Sequence, residues 1–292
     1  MNLRQLKTLV ELAETGSFSA AGRAVGLSHS AVSLHVKALE EELNVQLVDR
    51  SRRPPALTNR GLALVERARR MIDLMDEITG LGSEESLIGR LAVGVVPTAL
   101  VDLLPPALAA LRSSHPRLQI RISTGLSGDL AHHVRTGEID VAVATAPDLE
   151  IEGLVARPIL KEPLFVVAPG ATRATDPRAL LTGYPFIWFS RKTWAGQQIE
   201  RRLRDARITV DEAMEVDSLD AIISLVRHGL GVSIVPRRAA LPGLPEGLTA
   251  LPFGDPQHHR VLALIERPRN PKSRLADALL RELVASSNRQ SA

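Results

Sequence analysis

The spacing of apolar and polar positions divides the chain into a helical beginning and a long alternating remainder. Leu3, Leu6, Val10 and Ala13 recur at helical spacing, and Thr15-Gly16 stops that helix. A second, short helix follows, capped by Ser17, with Ala20, Ala21 and Ala24 making one side small enough for close approach of another helix. Val25-Gly26-Leu27 forms a short turn and Ser28 caps a third helix, the layout of a helix–turn–helix. In that third helix Val32, Val36, Leu39 and Leu43 form the buried stripe. From Asn59 a longer helix reaches to about Thr79, with Leu64, Ala68, Met71, Met75 and Ile78 recurring in a heptad-like seam. A sixty-residue domain cannot cover so long a stripe, so the seam calls for a partner helix from a second chain, the alternative being packing on the chain's own C-terminal domain. Gly80, Gly82 and Ser83 end the helix and mark a hinge.

After Ile88-Gly89 short apolar strands alternate with amphipathic helices: LAVGVV, then 100–111; LQIRIS, then 130–135; DVAVAT; and later PLFVVAP, PFIWF and GVSIVP, separated by helices near 195–205 and 218–227. That alternation predicts an α/β domain with a largely parallel sheet. In such sheets ligands bind beyond the carboxyl ends of strands, where helix N-termini point. Thr98, Ser127, Thr145, Ser190 and Ser218 occupy those junctions. Each on its own reads most simply as a helix cap; together, on facing edges, they form a polar rim for a ligand. Trp194 offers a flat apolar wall beside them, and Arg191 and Lys192 a cation, unless those charges are simply solvated.

With 292 residues and 45% hydrophobic content, the chain is globular and long enough for about two domains. A net charge of +3 does not by itself demand a nucleic acid, so its distribution decides. Between Arg50 and Arg70 stand seven arginines against one acid, Glu66, immediately after the helix–turn–helix. There is no cysteine, which removes disulfides, thiolate catalysis and thiolate metal ligation and fits a reducing compartment. Charges break the N-terminal apolar pattern and no run approaches the ~18 residues of a spanning helix, so a cytoplasmic protein without membrane contact is expected.

The outer face of the third helix carries Ser30, Ser33, Leu34 and Lys37 in its first half and Glu40, Glu41 and Glu42 at its end. Carboxylates would repel phosphates, so only the first half fits a DNA groove. Serine hydroxyls bond either kind of base edge, Leu34 suits a thymine methyl, and Lys37 reaches a guanine edge or a phosphate. An ordinary amphipathic helix would show a similar solvated face; the turn, the caps and the basic stretch beyond favour DNA.

Residues 18–61, FSAAGRAVGLSHSAVSLHVKALEEELNVQLVDRSRRPPALTNRG, resemble the winged helix–turn–helix of LysR-type transcriptional regulators, through the small-residue second helix, Ala31-Val32-Ser33, the A-L-E-E-E-L run and Thr58-x-x-Gly61. Where this chain has Leu34, followed by His35, that family commonly has Arg or Gln. The resemblance implies a β-hairpin wing holding Arg50, Arg52 and Arg53 beside the DNA backbone or minor groove, with Ser17 and His29 completing the contact set. It also implies dimerisation through the long helix. GEIDVA at 137–142 and HGLGVSIVP at 228–236 are similar to runs of that family's effector domain, which looks like a small periplasmic solute-binding protein of two α/β lobes joined by two crossover strands.

The expected architecture is therefore a winged helix–turn–helix at 1–60, all-α apart from its wing, a linker and dimerisation helix at 61–83, and a two-lobed, periplasmic-binding-protein-like α/β domain at 90–292, with lobe I at 90–161 and 266–292 and lobe II at 162–265. The expected function is a regulator that binds double-stranded operator DNA as a homodimer or homotetramer and responds to a small-molecule effector, an anion by the helix N-termini and hydroxyls of its site. Catalytic readings find no support. His132-His133 and His258-His259 are adjacent and diverge, Gly-x-Ser-x-Gly and a P-loop are missing, and Gly229-Leu230-Gly231 ends a helix rather than opening one. No metal and no cofactor are expected.

Overall fold

The computed structural model describes residues 1–51, 54–80, 87–173, 175–237 and 247–291, and the chain separates into two compact units, Met1–Gly89 and Arg90–Ala292.

In the first unit, α1 (Leu3–Thr15), α2 (Phe18–Val25) and α3 (His29–Leu43) precede a small hairpin of β1 (Val48–Asp49) and β2 (Ala56–Leu57), and α4 (Asn59–Gly80) follows. Local signals set these boundaries. Gly16 and Gly26 close α1 and α2 in the left-handed conformation, and the Ser17 and Ser28 hydroxyls accept from the backbone N–H of Ala20 and Ala31. Gly22 permits the tight turn into α3, since a Cβ there would stand 2.5 Å from the Leu27 carbonyl oxygen. Leu6, Leu9, Val10, Ala21, Val32, Val36 and Leu39 form the core. Two expectations change here: Leu43 is 38% exposed, lying at the last turn beyond the core, and Ala24 is exposed, so Ala21 and Gly22 make the close contact of α2.

The α4 stripe divides along its length. Val65, Ala68 and Ile72 are buried in the same core and Leu64 packs against it, while Met71, Met75 and Ile78 are 47%, 43% and 53% exposed. Core packing thus reaches as far as Ile72, and Met71, Met75 and Ile78 present apolar surface on another side of the helix and beyond.

The second unit holds two lobes. In the first, β4 (Leu118–Thr124), β3 (Gly89–Val95) and β5 (Val141–Thr145) lie beside β11 (His259–Glu266) and β6 (Val155–Pro169), with α5 (Pro97–Val101), α6 (Leu104–Ser114), α7 (Ser127–Thr136) and α11 (Ser273–Ser291) around them. In the second, β10 (Leu248–Pro252) and β9 (Ser233–Pro236) flank the far half of β6, and β7 (Pro185–Phe189) pairs in parallel with β8 (Asp211–Val216). The helices of this lobe are α8 (Pro177–Gly183), α9 (Trp194–Asp205) and α10 (Leu219–Arg227). The sheets are mixed rather than largely parallel, because the long crossover strands β6 and β11 run antiparallel to each other and to their neighbours β5, β9 and β10. From Leu262 onward β11 pairs with β5, so the chain is back in the first sheet over residues counted above with the second lobe. The single helix expected at 100–111 is two, α5 and α6; Pro105 sits in the first turn of α6, where its missing N–H costs nothing.

Candidate functional site

Two surfaces carry the expected chemistry, one in each unit. On the first, α3 is tied down from below: Thr8 on α1, fully buried, hydrogen-bonds His35 Nδ1 at 2.9 Å, and the Phe18 and His29 rings pack at 5.6 Å, tilted by 47°. His29, expected at the DNA face, therefore also has a packing partner, and Ser17 serves as the α2 cap, its hydroxyl accepting from Ala20 N–H at 3.4 Å. Facing outward are Ser30, whose hydroxyl meets that of Ser28 at 2.9 Å, Leu34 at 65% exposure, and Lys37, paired loosely with Glu41 at 3.5 Å; Ser33 is half-buried at the edge of this face.

The glutamates that follow are structural. Glu40 accepts from the backbone N–H of Leu47 at 2.8 Å and Val48 at 3.0 Å, anchoring the strand that opens the wing, and it pairs with Arg50 at 3.3 Å. Glu42 pairs with the amino group of Met1. The wing's other end is held by Thr58, which donates to the Gln46 carbonyl at 2.8 Å and accepts from Gly61 N–H at 3.0 Å. Gly61 is required there, since a Cβ would stand 2.2 Å from the Leu47 carbonyl oxygen. Arg50 thus sits at the base of the wing; Arg52 and Arg53 lie outside the described residues.

In the second unit a cavity of about 240 Å³ opens between the two lobes. Thr98, Ser127, Thr145 and Ser218 line it, as the strand ends predict. Ser127 and Thr145 are each 2% exposed, and neither hydroxyl has a hydrogen-bond partner among the described residues. No side chain caps α7, whose first residue is Ser127, so the positive end of that helix remains available to a ligand. Ser218 is the cap of α10, accepting from Ala221 N–H at 3.3 Å.

Ser190 and Trp194 are placed elsewhere. The Ser190 hydroxyl donates to Glu215 Oε1 at 3.0 Å. Arg191 closes on the same carboxylate at 3.1 Å while lying 4.8 Å over the Trp188 ring, and so is no free cation. The Ser190 hydrogen bond, with help from Arg191, holds the Glu215 carboxyl below its ordinary pKa. Trp194 instead lines a second recess of about 210 Å³ with Asp148, Leu149 and Arg201. There Arg201 pairs with Asp148 at 2.7 Å and Gln198 donates to the Ala146 carbonyl at 2.9 Å, joining α9 to the loop after β5.

Sequence reasoning missed the residues at the floor of the cavity. Arg260 on β11 is 2% exposed, stands opposite Glu162 in the β6 register, donates Nε to Glu162 Oε2 at 2.7 Å, and turns Nη1 to Thr98 Oγ1 at 3.2 Å. A signal existed, an arginine and a glutamate inside runs that otherwise read as buried strand, but nothing in the sequence pairs them. Asp217 and Asp220, at the start of α10, complete the polar lining; Phe189, Leu126 and Val96 are among its apolar members. Among the described residues no cluster of His, Cys, Asp or Glu is arranged to hold a metal ion, and no helix is long and apolar enough to cross a membrane.

These two surfaces coincide with two known domains. Residues 3–62 match the helix–turn–helix model of bacterial regulatory proteins of the lysR family, and residues 84–287 match the LysR substrate binding domain. The probable HTH-type transcriptional regulator LrrA of Synechococcus elongatus is 32% identical over 251 residues, 84% of each chain. The DNA-binding transcriptional dual regulator OxyR of Escherichia coli is 28% identical over 278 residues, 93% of this chain and 91% of that one. Among solved structures, the OxyR C206 mutant of Corynebacterium glutamicum superposes with a TM-score of 0.72 at 27% identity, covering 99% of this chain and 95% of that one. CbnR in complex with its target DNA shares the fold, with a TM-score of 0.62 at 23% identity over 99% of this chain and the whole of that one. The chain belongs to the LysR family of transcriptional regulators, with a helix–turn–helix for operator DNA and a two-lobed domain for a small-molecule effector.

Proposed function

We propose that this regulator, acting in the cytoplasm and without catalytic chemistry of its own, reads its operator through Ser30, Ser33, Leu34 and Lys37 of α3, with Arg50, Arg52 and Arg53 contacting the backbone from the wing. The exposed apolar stripe of α4, carrying Met71, Met75 and Ile78, pairs with the same surface of a second chain to give a homodimer or, from two such dimers, a homotetramer. The interlobe cavity takes a small effector bearing a carboxylate or similar anionic group. The observation that carries this reading is the pair of hydroxyl residues, Ser127 and Thr145, that line the cavity beside the uncapped start of α7. Hydroxyls that face a cavity beside a helix N-terminus are donors for a ligand oxygen.

Several relatives are named hydrogen peroxide-inducible genes activators. This chain has no cysteine, so a peroxide response by thiol oxidation is not open to it, and a bound ligand takes that place. A metabolite screen by thermal shift on the full-length chain identifies the effector, because a ligand stabilises the state it binds by mass action. Operator affinity is then measured with and without that effector. Thr98→Val and Ser127→Ala are expected to weaken the effector's influence and leave effector-free operator binding intact; an unaltered response in the double variant removes both residues from the site.

A further inference from the structure

The cavity is polarised in a way that a simple anion does not match. On the first lobe's side are donors: the Ser127 and Thr145 hydroxyls, the uncapped start of α7, and Arg260, whose charge is already balanced by Glu162. On the second lobe's side are acceptors: Asp217 and Asp220, both lining the cavity at the start of α10. Carboxylates there favour the helix macrodipole, and Ser218 caps the same end with its hydroxyl, so this helix terminus is already neutralised and presents no anion pole. A dicarboxylate would bring its second charge to Asp217 and Asp220, where like charges across a narrow cavity repel. A lone cation would satisfy the carboxylates and leave the hydroxyls, the start of α7 and Arg260 on the other wall without a ligand acceptor.

We infer that the effector is a small zwitterion of the amino-acid class, its carboxylate held by Ser127, Thr145 and the Arg260–Thr98 pair and its ammonium by Asp217 and Asp220. The inference rests on the cleft reading above and adds the second pole to it. Size is compatible, because about 240 Å³ holds a small molecule with both charged groups and a short side chain. The apolar walls from Val96, Leu126 and Phe189 fit a short aliphatic side chain.

The test measures thermal unfolding of the full-length chain with glycine, L-alanine, L-serine, L-threonine and L-valine. Each is set against the acid of the same skeleton lacking the amino group and the amine lacking the carboxylate. At least one amino acid is expected to raise the Tm, with its acid and amine counterparts inactive at equal concentration. Asp217→Asn combined with Asp220→Asn, both at exposed positions, should lower the ligand-free Tm only slightly, by the lost helix-dipole interaction, and weaken that amino acid at least tenfold, and Ser127→Ala should weaken it as well. An acid that binds as tightly as its amino acid, and loses binding in Ser127→Ala, overturns the zwitterion while leaving the cleft in place. Binding by the amine alone overturns it equally, as does a panel in which nothing shifts the Tm. A shift indifferent to both Thr98→Val and Ser127→Ala overturns the cleft reading itself.

Discussion

Arg260 and Glu162 face each other across the β11–β6 ladder at the point where the chain crosses between lobes, at 2% and 4% exposure. Removing one member of such a pair leaves an uncompensated buried charge, which costs about 3–5 kcal/mol, whereas apolar residues of similar volume in place of both are often neutral. Glu162→Gln should therefore destabilise the protein by about that amount in denaturant unfolding, and Arg260→Met with Glu162→Leu should recover most of it. Effector binding should stay lost in the double variant, because Arg260 Nη1 lines the cavity beside Thr98. A single variant as stable as the parent would show that the charge is not confined as the geometry has it.

Ser190 supplies a second prediction, and it concerns acid. Its hydroxyl is the main cause that holds Glu215 below the ordinary carboxylate pKa, with burial opposing and Arg191 assisting. A folded-state value below the unfolded one means the unfolded chain binds the proton more readily. The stabilisation is present above the ordinary value of 4.5 and is lost as pH falls through the folded value. Ser190→Ala should shrink that difference and move the onset of acid unfolding to higher pH. Solvent at this half-exposed site keeps the effect small. The effector response should be unchanged in this variant, since Ser190 does not line the cavity.

How much of this was legible depends on how far apart the partners lie in the chain. Ser17, Ser28, Gly16 and Gly26 act on residues within a turn of themselves, and their roles follow from local chemistry alone. Thr98, Ser127, Thr145 and Ser218 followed from the strand-to-helix rhythm, which places junctions at one edge of a sheet. Ser190 sits at such a junction too, yet its hydroxyl is taken by Glu215 from β8, a strand the apolar pattern did not display because its residues are mostly exposed. Arg260 and Glu162 are separated by 98 positions, and only the register of two crossover strands brings them together. Glu40 looked like one acid of three; its task, holding Leu47 and Val48 N–H, appears only when the chain turns back after α3.

The reading helix makes a quantitative prediction about specificity. Ser33→Ala should reduce discrimination between operator and random duplex by about 1 kcal/mol if the hydroxyl makes one base contact. Arg52→Ala and Arg53→Ala should weaken both duplexes alike and lower the salt slope by about 1 each. Isotherms at several salt concentrations separate the two classes of contact. Unchanged slopes in the double arginine variant would take the wing away from the phosphates.

Gly61 links the wing to the linker helix, and its replacement tests that junction without touching the DNA face. Gly61→Ala puts a Cβ 2.2 Å from the Leu47 carbonyl oxygen, too close for any real contact, so β1 or the start of α4 must shift. Overpacking of this kind costs about 1–3 kcal/mol. Thermal unfolding should show the first unit melting earlier, and operator affinity should fall for all sequences together. An unaffected melting profile would mean the wing base can move freely, contrary to the Glu40 and Thr58 anchors.

The apolar surface on the second half of α4 supports the last prediction. Met71, Met75 and Ile78 are exposed, while Ala68 and Ile72, on the same helix, are buried against α1 and its neighbours. Packing in the core of the first unit therefore reaches as far as Ile72 among the described side chains, and an apolar stripe exposed along the same helix is stabilised by a partner. Met71→Asp with Met75→Asp places four carboxylates in a two-chain contact, which should yield monomers in sedimentation. Because neither side chain belongs to the core of the first unit, each monomer should remain folded, with an unchanged helical signal. Operator affinity should nevertheless drop steeply, since paired half-sites need paired reading helices. A variant that sediments as the parent does would assign the exposed stripe to some other contact and remove α4 from the assembly.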